Sequence, residues 1–205
     1  ANLIVQPGTT VTIPNGTLID VRGGLCAGDV ACGANGMADN SSRVTFNWQD
    51  PANASATGSC YGIFSGNHWN RDPSCNEGIL LRSTVDIGAT KLRFVSITNA
   101  YGLPRWVSDI SEVRYGALVA EGASPTMTQL KFEGINTTSL LILDLARPDI
   151  VGGEFTVGDD ETSLIGSAIQ AYGAGSPIQP LSIIAPVFTG TSNGCGQSDD
   201  GRHVL

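Results

Sequence analysis

The chain has 205 residues and a net charge of −8, with only 15% charged residues against 41% hydrophobic ones, where soluble domains carry roughly 25% charged. That balance excludes disorder, because there is enough apolar material for a sizeable core, and it excludes nucleic acid and anionic membrane surfaces as partners, since both attract Lys and Arg. Gly, at 26 residues, is near twice its usual ~7% share and points to short strands and tight turns rather than a helical bundle.

From the N-terminus, Asn2-Leu3-Ile4-Val5, Thr10-Val11-Thr12-Ile13, Thr17-Leu18-Ile19-Asp20-Val21 and Arg43-Val44-Thr45-Phe46 are short, β-branched and bounded by Gly, Pro or Asn. They are predicted as strands separated by turns. No basic segment followed by an apolar one opens the chain, so a leader is expected to have been removed already. No run approaches the ~20 apolar residues of a membrane span; Leu140-Leu141-Ile142-Leu143 is among the longest.

Five cysteines stand at 26, 32, 60, 75 and 195. Pairing near neighbours joins Cys26 to Cys32 and Cys60 to Cys75, each across a loop rich in Gly, Asn and Asp. Four cysteines allow three connectivities, so this is a preference. A zinc site is the rival; it would want closely spaced Cys pairs with a second pair or His partners, and the spacings here are C-x₅-C and C-x₁₄-C. Cys195 is left over, either free or paired outside this sequence. Four glycosylation sequons begin at Asn15, Asn40, Asn53 and Asn136, all in turn-like surroundings. Together with the cysteines they favour an exported, extracellular or cell-surface protein.

The stretch from Phe46 to Glu77 gathers Trp48, Tyr61, Phe64, His68 and Trp69 among small polar residues. Such aromatics stack on sugar rings or anchor a protein partner, or else roof one face of the fold as a satellite core.

Further along, the chain repeats itself. Shifting the stretch from Gly78 by 38 positions lays it on the stretch from Gly116, matching Leu80 to Leu118, Leu92 to Leu130, Phe94 to Phe132 and Ile97 to Ile135. Leu and Phe two apart would face one side of a strand, with a bend before the Ile. Looser echoes follow, with Pro125, Pro148 and Pro177 at corners before strands that carry Phe132, Phe155 and Phe188. One such unit cannot bury its apolar side chains, but stacked units share a continuous core. The two repeats are therefore expected to be neighbouring parallel rungs.

The opening Val5-Gln6-Pro7-Gly8-Thr9-Thr10-Val11-Thr12-Ile13, and Gly66-Asn67-His68-Trp69 followed by Gly78-Ile79 and Leu92-Arg93-Phe94-Val95-Ser96-Ile97, resemble right-handed parallel β-helix modules of the pectin-lyase-like superfamily. One extra residue separates Gly66 from Trp69, and a disulfide-anchored insertion would account for the long gap before Gly78. The resemblance implies an all-β, single-domain solenoid over residues 1–205, with inserted loops near 22–42 and 47–78. It is specific for fold, because such folds host lyases, hydrolases, adhesins and passive scaffolds alike.

Enzymes of this kind act on polysaccharides. Paired carboxylates exist at Asp159-Asp160-Glu161 and Asp199-Asp200, and Arg147-Pro148-Asp149 faintly resembles a lyase arrangement, but the two histidines, His68 and His203, lie in no matching context. No serine or cysteine nucleophile motif and no phosphate-binding loop is present. The expectation is no catalytic residue, no resident metal and no cofactor, with calcium at Asp159-Asp160-Glu161 as the one exception to weigh. The expected function is a non-catalytic structural or adhesive module that self-assembles or docks other surface proteins, with glycans as a further partner. A lyase or hydrolase working along a groove, or a carbohydrate-binding module, is the alternative. No capping helix precedes Val5 or follows Phe188, so either more chain continues beyond these ends or another subunit covers them, and stacking or docking end to end within a filament or surface layer is the expectation.

Overall fold

The computed structural model describes residues 1–14, 16–49, 64–65, 68–69, 77–135, 137–157, 168–173 and 182–190. These residues are all-β apart from one short 3₁₀ turn, Val30–Cys32, and nearly every strand pairing is parallel.

The strands fall into three parallel ladders. The first holds β1 (Asn2–Val5), β4 (Gly24–Ala27), β9 (Lys91–Arg93), the first halves of β13 (Thr126–Glu133) and β15 (Asp149–Val157), and β17 (Ser182–Ile184). The second holds β2 (Thr10–Ile13), β5 (Val44–Trp48), β10 (Val95–Thr98), the second halves of β13 and β15, and β18 (Val187–Gly190). The third holds β3 (Leu18–Val21), β8 (Gly78–Arg82), β12 (Glu112–Glu121), β14 (Thr138–Leu143) and β16 (Ile169–Ala171). Along the chain the strands visit first, second and third ladder in turn, and each return takes the next place in its ladder. This path is compatible with a β-helix-like fold. Two hairpins interrupt it: β6 (Phe64–Ser65) with β7 (His68–Trp69), and β11 (Leu103–Val107) against the start of β12.

A sharp bend joins the first ladder to the second. In successive rungs it falls on Phe94, Gln129, Gly152 and Ala185, all at positive φ between 46° and 64°. One left-handed residue breaks the in–out alternation, so the inward positions fall three apart across the bend and not two. Leu92 and Val95 are the inward pair around Phe94, Met127 and Leu130 the corresponding pair around Gln129, and all four are buried. The inward side chains stack rung on rung. Phe46, Ile97, Phe132 and Phe155 are consecutive neighbours in the second ladder and fully buried, and the Phe132 and Phe155 rings stack at 5.3 Å. Ile79, Leu118, Leu140 and Ile169 make the matching column of the third. Each column shares its apolar surface with the next, which is how units too thin to fold alone become stable.

The repeat reading holds in kind and shifts in register. The 78–97 and 116–135 stretches are neighbouring parallel rungs, but Ile79 pairs with Leu118 while Leu92 pairs with Met127 and Ile97 with Phe132, steps of 39 and 35 in place of a uniform 38. Phe94 does not share a strand face with Leu92. It occupies the bend, half-buried, and Ile97 takes the column position beneath Phe132. Burial of the inward column selected this register over residue-by-residue likeness. The Pro125–Pro148 step of 23 matches the observed pairing of Thr126 with Asp149, whereas the following step is 33, from Asp149 to Ser182, and not the 29 implied by Pro177, which lies outside the described residues.

Cys26 and Cys32 form a disulfide with their Cα atoms 5.5 Å apart. Within the 22–42 stretch, Gly24–Ala27 is strand β4, so the excursion begins only at Gly28. Asp29 caps the 3₁₀ turn by accepting from Ala31 N at 2.8 Å, and Asn35 N donates to Gln6 Oε1 at 2.6 Å, fastening the loop to the first rung. Cys60, Cys75 and Cys195 lie outside the described residues.

Candidate functional site

The aromatic stretch divides between core and hairpin. Trp48 does not belong to a contact surface. It is the last inward residue of β5, fully buried, and its Nε1–H donates to the Thr17 carbonyl at 2.8 Å. The alternation Val44, Phe46, Trp48 in one five-residue strand fixes that orientation, and a buried indole N–H needs a partner. In the β6–β7 hairpin Phe64 is opposite Trp69 and Ser65 opposite His68. Tyr61 lies outside the described residues.

A second arrangement was not anticipated from the sequence. The third ladder is apolar on both faces: Leu80, Val119, Leu141 and Leu143 point away from the main core and form a separate cluster with Leu103 and Val107 of β11. The arm made by β11 and the start of β12 thus roofs the outside of this ladder. The available signal was the unbroken apolar runs Ile79-Leu80-Leu81 and Leu140–Leu143, because a strand buried on both sides loses its alternation. On the arm's outer side Trp106 is 64% exposed and Val113, its cross-strand partner, 40%. Pro104 and Tyr115 are the next pair, and Tyr101 meets Tyr115 edge-on at 6.5 Å.

Charges tie the rungs together along the same ladder. Arg22 contacts Asp20 at 3.0 Å, Asp20 contacts Arg82 at 3.0 Å, Arg82 contacts Glu121 at 3.4 Å, and Glu121 contacts Arg105 of the arm at 2.8 Å. The Arg82 hydrogen bond is the main cause holding the Asp20 carboxyl below its ordinary value, and Asp20 in turn raises Arg82. Glu77 is buried, and its carboxylate accepts from Gly16 N at 2.8 Å and Tyr101 N at 3.0 Å. It links corners of three successive rungs, which is a structural use of a buried acid. At the bend between the other two ladders, Arg43 and Arg93 lie 5.5 and 5.3 Å from the Phe94 ring centroid. Arg43 also donates to the Gln129 carbonyl at 2.6 Å.

The polysaccharide-enzyme residues do not converge among the described residues. Asp149 is exposed at the start of β15 and pairs in register with Thr126 and Ser182, not with a second carboxylate. Asp159, Asp160 and Glu161 lie outside the described residues, as do Asn15, Asn53 and Asn136. No group of three or more His, Cys, Asp or Glu side chains suited to a metal occurs among the described residues, and no described helix is long and apolar enough to cross a membrane. Asn40 is exposed in a turn, with its Oδ1 accepting from Arg43 at 3.1 Å.

The first rung completes the candidate surfaces. Among the described residues β1, β2 and β3 each pair with a single neighbour, β4, β5 and β8 respectively. Leu3 is 50% exposed and Ile4 43%, although their register partners Leu25 and Cys26 are fully buried. No protein-family model, no curated protein and no solved structure matches this chain.

Proposed function

We propose that this chain is a right-handed parallel β-helix module that acts as a non-catalytic, extracellular structural or adhesive element, joining its neighbours end to end. The observation carrying this reading is the first rung. Among the described residues three adjoining strands have no partner on their outer edge, with Leu3 and Ile4 half-exposed beside them, and an apolar strand edge is a template for another strand. In the last described rung, Ile184, Val187 and Phe188 are 54%, 52% and 47% exposed. A contact between unlike ends is heterologous, and where its rotation does not close into a ring it propagates into a filament. The disulfide and the four sequons support export.

Analytical ultracentrifugation over a concentration series, with electron microscopy of the same samples, tests the reading. Rods that lengthen with concentration are expected, and a Leu3→Asp/Ile4→Lys variant should stay folded and monomeric. A native chain that remains monomeric at every concentration refutes it.

A further inference from the structure

We propose that the outer face of the β11–β12 arm binds a neutral oligosaccharide of β-linked hexoses, with Trp106 as the stacking platform. The face is built from the inside out. Leu103 and Val107 are buried in the cluster roofing the third ladder, and Arg105 between them is held by Glu121. Strand alternation then leaves Pro104 and Trp106 no direction but outward, opposite Tyr115 and Val113. A large ring exposed at 64% on a strand anchored by its neighbours is a stacking platform that lies outside the buried clusters.

Size and charge select the occupant. The outer face offers Trp106 and Val113 with Pro104 and Tyr115 beside them, four side chains against the roughly 20–30 residues each partner gives to a stable protein interface. That footprint matches a short run of sugar rings. The charged side chains of the two strands, Arg105, Glu112 and Arg114, are each engaged in an ion pair, which favours an uncharged ligand over a uronate or sulfate. A hexose whose hydroxyls are equatorial turns a face of axial C–H groups towards an indole, and β-linkage keeps successive rings flat. This site does not depend on end-to-end assembly, which uses a different surface.

The test is calorimetric titration of the full chain with cellohexaose, laminarihexaose and mannohexaose, alongside acrylamide quenching of a Trp69→Phe variant. In that variant the emission comes from buried Trp48 and exposed Trp106. Saturable binding of at least one hexasaccharide is expected, with protection from quenching. Trp106→Ala should weaken it roughly tenfold or more and Trp106→Phe less, each with an unchanged urea midpoint. Failure of all three probes to bind overturns the proposal, as does full-strength binding by Trp106→Ala. A change in sedimentation of Trp106→Ala without any effect on sugar binding overturns it too, because the occupant is then a second copy. Should Trp106→Ala not fold, quenching protection in the Trp69→Phe chain decides the matter.

Discussion

Replacing Trp48 by Ala should be among the most damaging single changes in this protein, while the same replacement at Trp106 should hardly register. Trp48 is fully buried at the end of β5, opposite Ile13 in the neighbouring rung. Truncating a large buried aromatic to Ala costs ~3–5 kcal/mol through lost transfer energy and the cavity left behind. Removing the indole N–H also strips the Thr17 carbonyl of its 2.8 Å partner, adding about 1 kcal/mol. The expected loss of roughly 4–6 kcal/mol is a large part of a typical stability of ~5–15 kcal/mol. With a urea slope near ~2–3 kcal/mol per molar, the unfolding midpoint should fall by about 2 M. At Trp106, 64% exposed, the change should stay within about 0.5 kcal/mol. Urea unfolding followed by far-ultraviolet circular dichroism on both variants measures the difference. Equal midpoint shifts, or a Trp48→Ala loss under ~1 kcal/mol, would refute the inward register of β5 and with it the shared column.

Three further outcomes are expected. Substituting Cys26 and Cys32 by Ser should cost ~2 kcal/mol, the small value proper to a short closed loop, and should speed amide exchange in residues 28–42; unchanged exchange there would refute a clamping role. The Asp39 carboxyl is held at about 2, below the ordinary 3.8, first by the Ser41 hydroxyl and then by Ser42. A depressed folded value means that this contact stabilises the loop above the unfolded value and is lost as pH falls from 3.8 towards about 2; an NMR titration of residues 39–42 with a midpoint near 3.8 would contradict it. Gly78 has φ +142°, and an added Cβ would lie 2.4 Å from the Ala117 carbonyl oxygen of the next rung. Gly78→Ala should therefore cost at least ~2 kcal/mol, and a midpoint indistinguishable from the native chain would show that the two rungs are not so closely packed.

Much of this architecture is legible in the chain itself. Short β-branched segments between Gly, Pro and Asn announce strands, because those residues set the local backbone whatever surrounds them. The likeness of 78–97 to 116–135 announces stacked rungs, because a single rung has nowhere to bury its Leu, Ile and Phe. The nearness of Cys26 and Cys32 favours the disulfide that forms. What tertiary packing decided is where each side chain points. The Leu-x-Phe-x-x-Ile spacing announces a bend before Ile97, but only the fold puts the left-handed residue at Phe94 itself, taking that ring out of the column and leaving Ile97 in it. Trp48 and Trp106 are the same side chain in similarly polar company. Only the closing of the rungs buries one beside Thr17, and only the folding of the β11 arm over the third ladder leaves the other in water, since burial depends on what arrives from elsewhere in the chain.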